Sequence, residues 1–318
     1  MESYFINGEV DTKTKDIFLK INEAVDVEIK DDIKIKAENI GINLHEITTF
    51  FSDRNSSSDE NSTLKVSVDT KNCFIFVSEN RHVISDTINF RLVNKVLSGE
   101  LSHKQGRAVF NLKDDAFHLY GDNFNDEFMG RLFYLSKFKG GALEFYINGP
   151  IDEYEGMIYI KDTTILDYKI LNNILAFVNT VPSLVTFSLP GYNKNGIAAK
   201  NAYVNFKFKD DVYNISDIYL KSKEIEIVGF GEASTEKNSI DLDLNLRTSL
   251  GSSFSKIPLL GHILMGKENV STTLKVTGKL DDPDIDTQIA KDIAVAPFNI
   301  IKRTFMLPFE LFKDKESE

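Results

Sequence analysis

The chain has 318 residues, 42 % of them apolar, with 37 Lys and Arg against 48 Asp and Glu. That is enough apolar material for one long or two ordinary domains, and the net charge of -11 repels phosphate backbones, which argues against a nucleic acid partner. A lone cysteine, Cys73, rules out an intrachain disulfide and leaves both cytoplasm and periplasm open.

The opening residues Met1-Glu2-Ser3-Tyr4-Phe5-Ile6 lack the basic and apolar regions of a signal peptide. No apolar run reaches the roughly 18 residues of a spanning helix. The chain is therefore expected to be either cytosolic or the downstream part of a longer protein anchored elsewhere. Residues 51–62 are polar and rich in serine and are expected to form a mobile loop. After them, Leu64, Val66 and Val68 alternate with Lys65, Ser67 and Asp69, and Cys73 adjoins Phe74, Ile75 and Phe76, which reads as a buried strand thiol.

The same period of two recurs at Leu143, Phe145 and Ile147. It returns at Ala202, Val204, Phe206 and Phe208, and again at Ile240, Leu242, Leu244 and Leu246. Strands with one apolar and one wet face read this way, and antiparallel sheets supply such strands. Turn signals fall between the runs at Lys30-Asp31-Asp32, Asn148-Gly149-Pro150, Lys209-Asp210-Asp211 and Leu280-Asp281-Asp282-Pro283, which suggests hairpin after hairpin. Residues 168–181 break the rhythm: Leu171, Ile174, Leu175, Phe177, Val178 and Val181, at steps of three and four, predict an amphipathic helix ending near Pro182. From Asp292 onward Phe298, Ile301, Phe305, Phe309 and Phe312 form one helical stripe, with Pro297 and Pro308 at first-turn positions of two short helices. With Lys291, Lys302, Arg303 and Lys313 beside it, this stripe either lies on a membrane surface or caps the open end of the sheet.

Three stretches carry a resemblance. They are Gly229-Phe230-Gly231-Glu232-Ala233 with the strand that follows, Ser255-Lys256-Ile257-Pro258-Leu259-Leu260-Gly261-His262, and Thr273 to Pro283 with its Gly278-Lys279-Leu280-Asp281-Asp282-Pro283 ending. Together with Ala296-Pro297-Phe298, Arg303 and Leu307-Pro308, they resemble the C-terminal part of AsmA-like proteins, closest to the YhdP type, with TamB a more distant relative. The likeness is good from about Gly140 to Phe312 and rests on pattern alone before that. It implies an elongated, twisted antiparallel sheet that forms an apolar, taco-like groove. It also implies a periplasmic protein of Gram-negative bacteria, tethered to the inner membrane through a part absent from this chain, that conducts phospholipid toward the outer membrane. It brings no catalytic residues and no cofactor.

The expected organisation is thus a β-meander groove segment over residues 1–139, a β domain over 140–288 containing the helix, and an amphipathic helical segment over 289–318. Candidate groove-lining residues are Leu143, Phe145, Ile147, Ile158, Ile160, Val204, Phe206, Phe208, Ile225, Ile227, Leu242, Leu244, Leu246, Leu274 and Val276. Burying a 16-carbon acyl chain is worth roughly 12 kcal/mol at about 0.8 kcal/mol per CH₂, so a continuous apolar face would remove most of the cost of moving lipid through water. The expected partners are phospholipid or another acyl lipid, a membrane surface at the C-terminal end, and envelope proteins. The competing expectation is an envelope scaffold or adaptor whose apolar face is a closed β core.

Chemical motifs are weak. His45, His82, His103, His118 and His262 are scattered, so no metal site is expected. Asp241-Leu242-Asp243-Leu244-Asn245 lacks the glycine of a calcium loop, and Asp281, Asp282, Asp284 and Asp286 read as a solvated turn. Ser253-x-x-Lys256 has no companion motif, and Gly229-Phe230-Gly231 lacks the third glycine of a dinucleotide fingerprint. The reading is non-enzymatic.

Overall fold

The computed structural model describes residues 5–43, 65–78, 81–93, 96–113, 116–132, 137–150, 152–166, 192–193, 196–223, 225–249, 264–265, 269–280 and 282–288. The expected loop at 51–62, the helix at 168–181 and the C-terminal helices, with Phe298, Ile301, Phe305, Phe309 and Phe312, lie outside the described residues. The fold is mostly β, with one helix among the described residues. It divides into two compact units, Met1–Tyr134 and Leu135–Glu318.

The first unit begins with four short strands, β1 (Ile6–Val10), β2 (Ile17–Ile21), β3 (Val25–Ile29) and β4 (Ile33–Glu38), each antiparallel to the next. Apolar residues alternate with Lys, Asp and Glu in these strands, so one face of each can be buried and the other hydrated. β6 (Val66–Lys71) then lies parallel to β4, and β9 (Thr87–Val93), β10 (Val96–His103), β11 (Gly106–Lys113) and β12 (Ala116–Phe124) continue the sheet antiparallel. A three-stranded sheet of β5 (Gly41–Asn43), β7 (Phe74–Ser78) and β8 (Arg81–Ile84) branches from it. β5 pairs parallel with β7. The expectation of a purely antiparallel meander is corrected here: two parallel pairings make the unit mixed, because β4–β5 and β6–β7 run side by side in the same direction.

The branch is made where adjacent strands bend. Asn39 and Asn72 adopt left-handed backbone (φ 57° and 51°), a conformation asparagine tolerates better than most residues. Asn39 N–H donates to the Lys71 carbonyl and Asn72 N–H to the Asp86 carbonyl, each at 3.0 Å. Cys73 is buried at this bend, as expected, and its carbonyl accepts the Ser85 hydroxyl at 2.9 Å. Helix α1 (Asp126–Leu132) is short for periodicity to reveal, and the sequence reading missed it. Asn125 caps it by accepting the Phe128 N–H at 3.1 Å, and Phe128 stacks on Phe124 with ring centroids 4.0 Å apart.

The second unit is antiparallel throughout its described strands. β13 (Lys137–Lys139) and β14 (Ala142–Pro150) share one edge of the long β15 (Glu153–Leu166). β17 (Gly196–Lys209), β18 (Val212–Lys221), β19 (Ile225–Ser234), β20 (Ser239–Ser249), β22 (Asn269–Gly278) and β23 (Pro283–Gln288) follow in order. Two-residue strands β16 (Tyr192–Asn193) and β21 (Leu264–Met265) pair with the starts of β17 and β22. Asp210 and Asp211, at φ 50° and 61°, form the two-residue hairpin turn expected between β17 and β18. β18 carries a bulge between Ile215 and Ile218.

Candidate functional site

Side chains of directly paired residues project from the same face of a sheet, so the register assigns each one to a face. In the second unit Phe145 pairs with Ile158, Ile158 with Val204, Val204 with Ile218, Ile218 with Gly229, Gly229 with Leu244, and Leu244 with Leu274. A flanking row runs Leu143, Ile160, Ala202, Leu220, Ile227, Leu246. On the other side the row is Ile147, Gly156, Phe206, Ile215, Gly231, Leu242, Val276. With Phe208 and Ile225 at their ends, these rows contain all fifteen residues singled out from the sequence.

That face is not evenly open. Phe145, Ile147, Ile158, Val204 and Phe208 are half-buried, whereas Leu244 is 3 % exposed and Leu143, Leu274 and Val276 are fully buried. Ile160, Phe206, Ile225, Ile227, Leu242 and Leu246 are buried too. The strands β19, β20 and β22 thus contribute to a packed core shared with Ile165, Ile197 and Leu220.

The opposite face corrects the expectation of a wet side. Tyr159, Tyr203 and Tyr219 sit in one cross-strand row with Glu144, Val228, Asn245 and Thr273. Met157, Tyr159 and Tyr203 are buried with Tyr219 against them, and Asn205, Asn245 and Thr273 are buried as well. The rings of Tyr203 and Tyr219 stack at 5.2 Å and the Tyr159 hydroxyl donates to Asn201 Oδ1 at 2.7 Å. Tyrosine misled the reading because it scores as a surface residue while its ring buries like phenylalanine.

Burial pushes the hydroxyls of Tyr146 and Tyr203 up to about 12, and it raises Tyr159 and Tyr219 in the same direction. Unfolded tyrosine titrates near 10. The raised folded values mean that the stabilisation from keeping these groups neutral is complete below about pH 10 and is lost between about pH 10 and 12. Tyr146 and Tyr203 each stand to lose up to roughly 3 kcal/mol across that window. Urea midpoints measured at about pH 9 and about pH 11.5 are expected to fall steeply for the wild type, and an unchanged midpoint would contradict the buried tyrosine row.

The first unit carries a second apolar face that the sequence reading did not itemise, although it assigned residues 1–139 to the groove. One row runs Val10, Ile17, Ile29, Ile33, Val66, Leu92, Leu97, Leu112, Phe117. Its neighbour runs Gly8, Leu19, Val27, Ile35, Val68, Phe90, Gly99, Phe110, Leu119. From Ile17 to Phe117 every residue of the first row is half-buried, and Val10 is exposed. Nine strands at about 4.8 Å give a strip of roughly 38 Å, somewhat longer than the ~30 Å hydrocarbon core of a bilayer. The signal was present in Ile17/Leu19/Ile21, Val25/Val27/Ile29 and Ile33/Ile35/Ala37, three alternating runs separated by short turns.

The reverse of this face is hydrated. Lys20 pairs with Asp26 at 3.8 Å and Arg107 with Glu100 at 2.7 Å, all with substantially exposed side chains. At the end of β10, His103 joins the apolar face, donates through Nδ1–H to Asp86 Oδ1 at 3.2 Å, and stacks on Phe128 of α1 at 6.3 Å. On the small sheet, His82 contacts the rings of Phe74 and Phe76, and Arg131 reaches its Nε2 at 2.8 Å. Burial, and then the Arg131 charge, lower the His82 pKa.

No cluster of three or more His, Cys, Asp or Glu able to hold a metal occurs among the described residues, and no described helix is long and apolar enough to cross a membrane. Asp241 and Asp243 instead flank Lys275, with Asp243 at 3.1 Å. Ser253, Lys256, His45 and His262 lie outside the described residues. Comparison with curated proteins and with solved structures finds no match. The model of the YhdP protein family matches residues 20–285, a span that takes in the second unit's apolar face and the first unit's from β3 onward, and the chain belongs to that family, which is associated with the bacterial envelope.

Proposed function

We propose that the chain is a non-enzymatic lipid-binding and lipid-conducting segment of a bridge-like envelope protein, working in the periplasm and moving phospholipid between the inner and outer membranes. The observation that carries this reading is the apolar strip of the first unit. It runs unbroken across nine strands, its row from Ile17 to Phe117 is half-buried, and it has a charged reverse. Acyl chains lying on it would shed about 0.8 kcal/mol of exposure per CH₂, while headgroups stay in solvent at the rim. A lining without charges or deep pockets holds no position strongly, which suits passage. The half-buried part of the second unit, around Phe145, Ile158 and Val204, would extend the same chemistry.

The test is native mass spectrometry with lipid extraction on protein purified from a bacterial envelope. Leu92→Asp and Leu112→Asp place a charge on half-buried positions of the strip. Both are expected to retain the far-ultraviolet dichroism of the wild type and to lose most co-purifying phospholipid. Folded variants that carry wild-type amounts of lipid would remove this face from the account.

A second reading, a structural scaffold or adaptor of the envelope with a closed β core, is favoured by the complete burial of Leu143, Leu274 and Val276 in the second unit. Lipid-free wild-type protein from the same preparation would support it.

A further inference from the structure

We propose that the apolar strip of the first unit opens along one rim, and that a phospholipid held there keeps its tails over the middle of the strands and its headgroup at the rim formed by the β1–β2, β3–β4, β9–β10 and β11–β12 turns. The inference rests on the lipid reading above and adds to it a direction across the strands. Burial changes across the strip row by row. The row beside those turns, from Ile17 to Phe117, is half-buried throughout. In the middle row Leu19, Val27, Ile35, Phe90, Phe110 and Leu119 are half-buried too. In the third row Ala37, Thr70, Ile88, Leu101, Ala108 and Gly121, in register from β4 to β12, are all buried.

Beyond the third row stands a wall. His103, two residues past Leu101 on the same face, stacks on Phe128 of α1, and Gly106 beside it has no room for a Cβ because the Phe124 ring lies on it. Phe124 and Met129 are 0 % exposed. The helix is fastened by Lys104 Nζ on Glu127 at 2.6 Å and by Arg131 on His82 Nε2 at 2.8 Å. At the same ends of β6 and β9 lie the buried Cys73, Ile84 and Ser85 of the branch. A phosphate pressed against this side would be buried without a partner, at a cost of several kcal/mol, and the nearby carboxylates of Asp86 and Glu127 would repel it. From the row beside the turns, water is reached directly. Tails therefore settle on the middle row and the headgroup leaves over Ile33, Leu92 and Phe117.

The chain contains no tryptophan, so a single introduced indole reports its own surroundings. Phe90→Trp reports on the middle row, Phe117→Trp on the open rim, and Gln105→Trp on the exposed β10–β11 turn beyond the wall. The two rims lie at opposite ends of β10, about 24 Å apart at roughly 3.4 Å per residue. The full chain is incubated with phosphatidylcholine vesicles carrying a nitroxide either on the headgroup or near the end of an acyl chain, and is then separated from them by flotation. The chain-end label is expected to quench Phe90→Trp. The headgroup label is expected to quench Phe117→Trp about three times as strongly as Gln105→Trp, given that separation. Leu97→Trp repeats the rim measurement if Phe117→Trp alters the dichroism spectrum. Equal headgroup quenching at the two rims, or stronger quenching at Gln105→Trp, overturns the direction while lipid binding stands. Absence of quenching by either label in every variant overturns the lipid reading together with this inference.

Discussion

Leu244→Asp is expected to unfold the second unit rather than merely obstruct a groove. Leu244 is 3 % exposed and sits between Gly229 and Leu274 in the middle of the core. Removing a buried leucine side chain costs about 2–5 kcal/mol on its own, and an unpaired carboxylate in the same place adds several more. A domain holds only about 5–15 kcal/mol in reserve. Loss of the far-ultraviolet β signal and of amide protection across β17–β22 is the expected readout, with Leu244→Met, which keeps the volume, within about 1.5 kcal/mol of wild type. A folded Leu244→Asp protein with a near-native urea midpoint would show that this face is open. The contrast with Leu92→Asp is what separates the two units: the same chemical change is structural on β20 and is expected to be functional on β9.

Gly231→Val is the second substitution expected to be severe, at about 3–5 kcal/mol. Gly231 has φ +151°, a conformation L-residues rarely adopt, and it pairs with Ile215 where the β18 bulge begins. A Cβ there would overlap the Asp241 carbonyl oxygen and lie 2.8 Å from the Leu242 Cα. Both are backbone atoms of the adjacent strand, so no side-chain movement relieves the overlap. The sheet would have to separate between β19 and β20. A chemical denaturation curve within about 1 kcal/mol of wild type would contradict this account.

Period-two alternation identified the strands because it reports one apolar and one polar face directly. It placed Leu143, Phe206 and Leu244 on a common face before any register was known, since inward positions of successive hairpins fall on one side. Alternation carries no information about what lies beyond each face. It could not tell half-buried Val204 from buried Leu274, because exposure depends on elements remote in sequence. It also could not show that Tyr159 and Tyr203 are buried, because a phenol suits water and core alike. The parallel step from β4 to β6 was hidden for a related reason: turn residues announce hairpins, whereas a parallel neighbour is chosen by long-range packing.

That parallel step governs the order in which the first unit can assemble. Most neighbours in its sheet are joined by turns of a few residues, so β1–β4 and β9–β12 can each form as a local ladder at little entropic cost. β6 has no such neighbour. Its partner for Val66 on one side is Ile33 and on the other Leu92, both far along the chain. Its docking must close long loops before any pairing rewards them, which makes it the slow event. The two ladders are then the early species and β6 is the seam that joins them. The apolar strip becomes continuous only when that seam closes, so a chain still folding exposes two short apolar surfaces and no unbroken path.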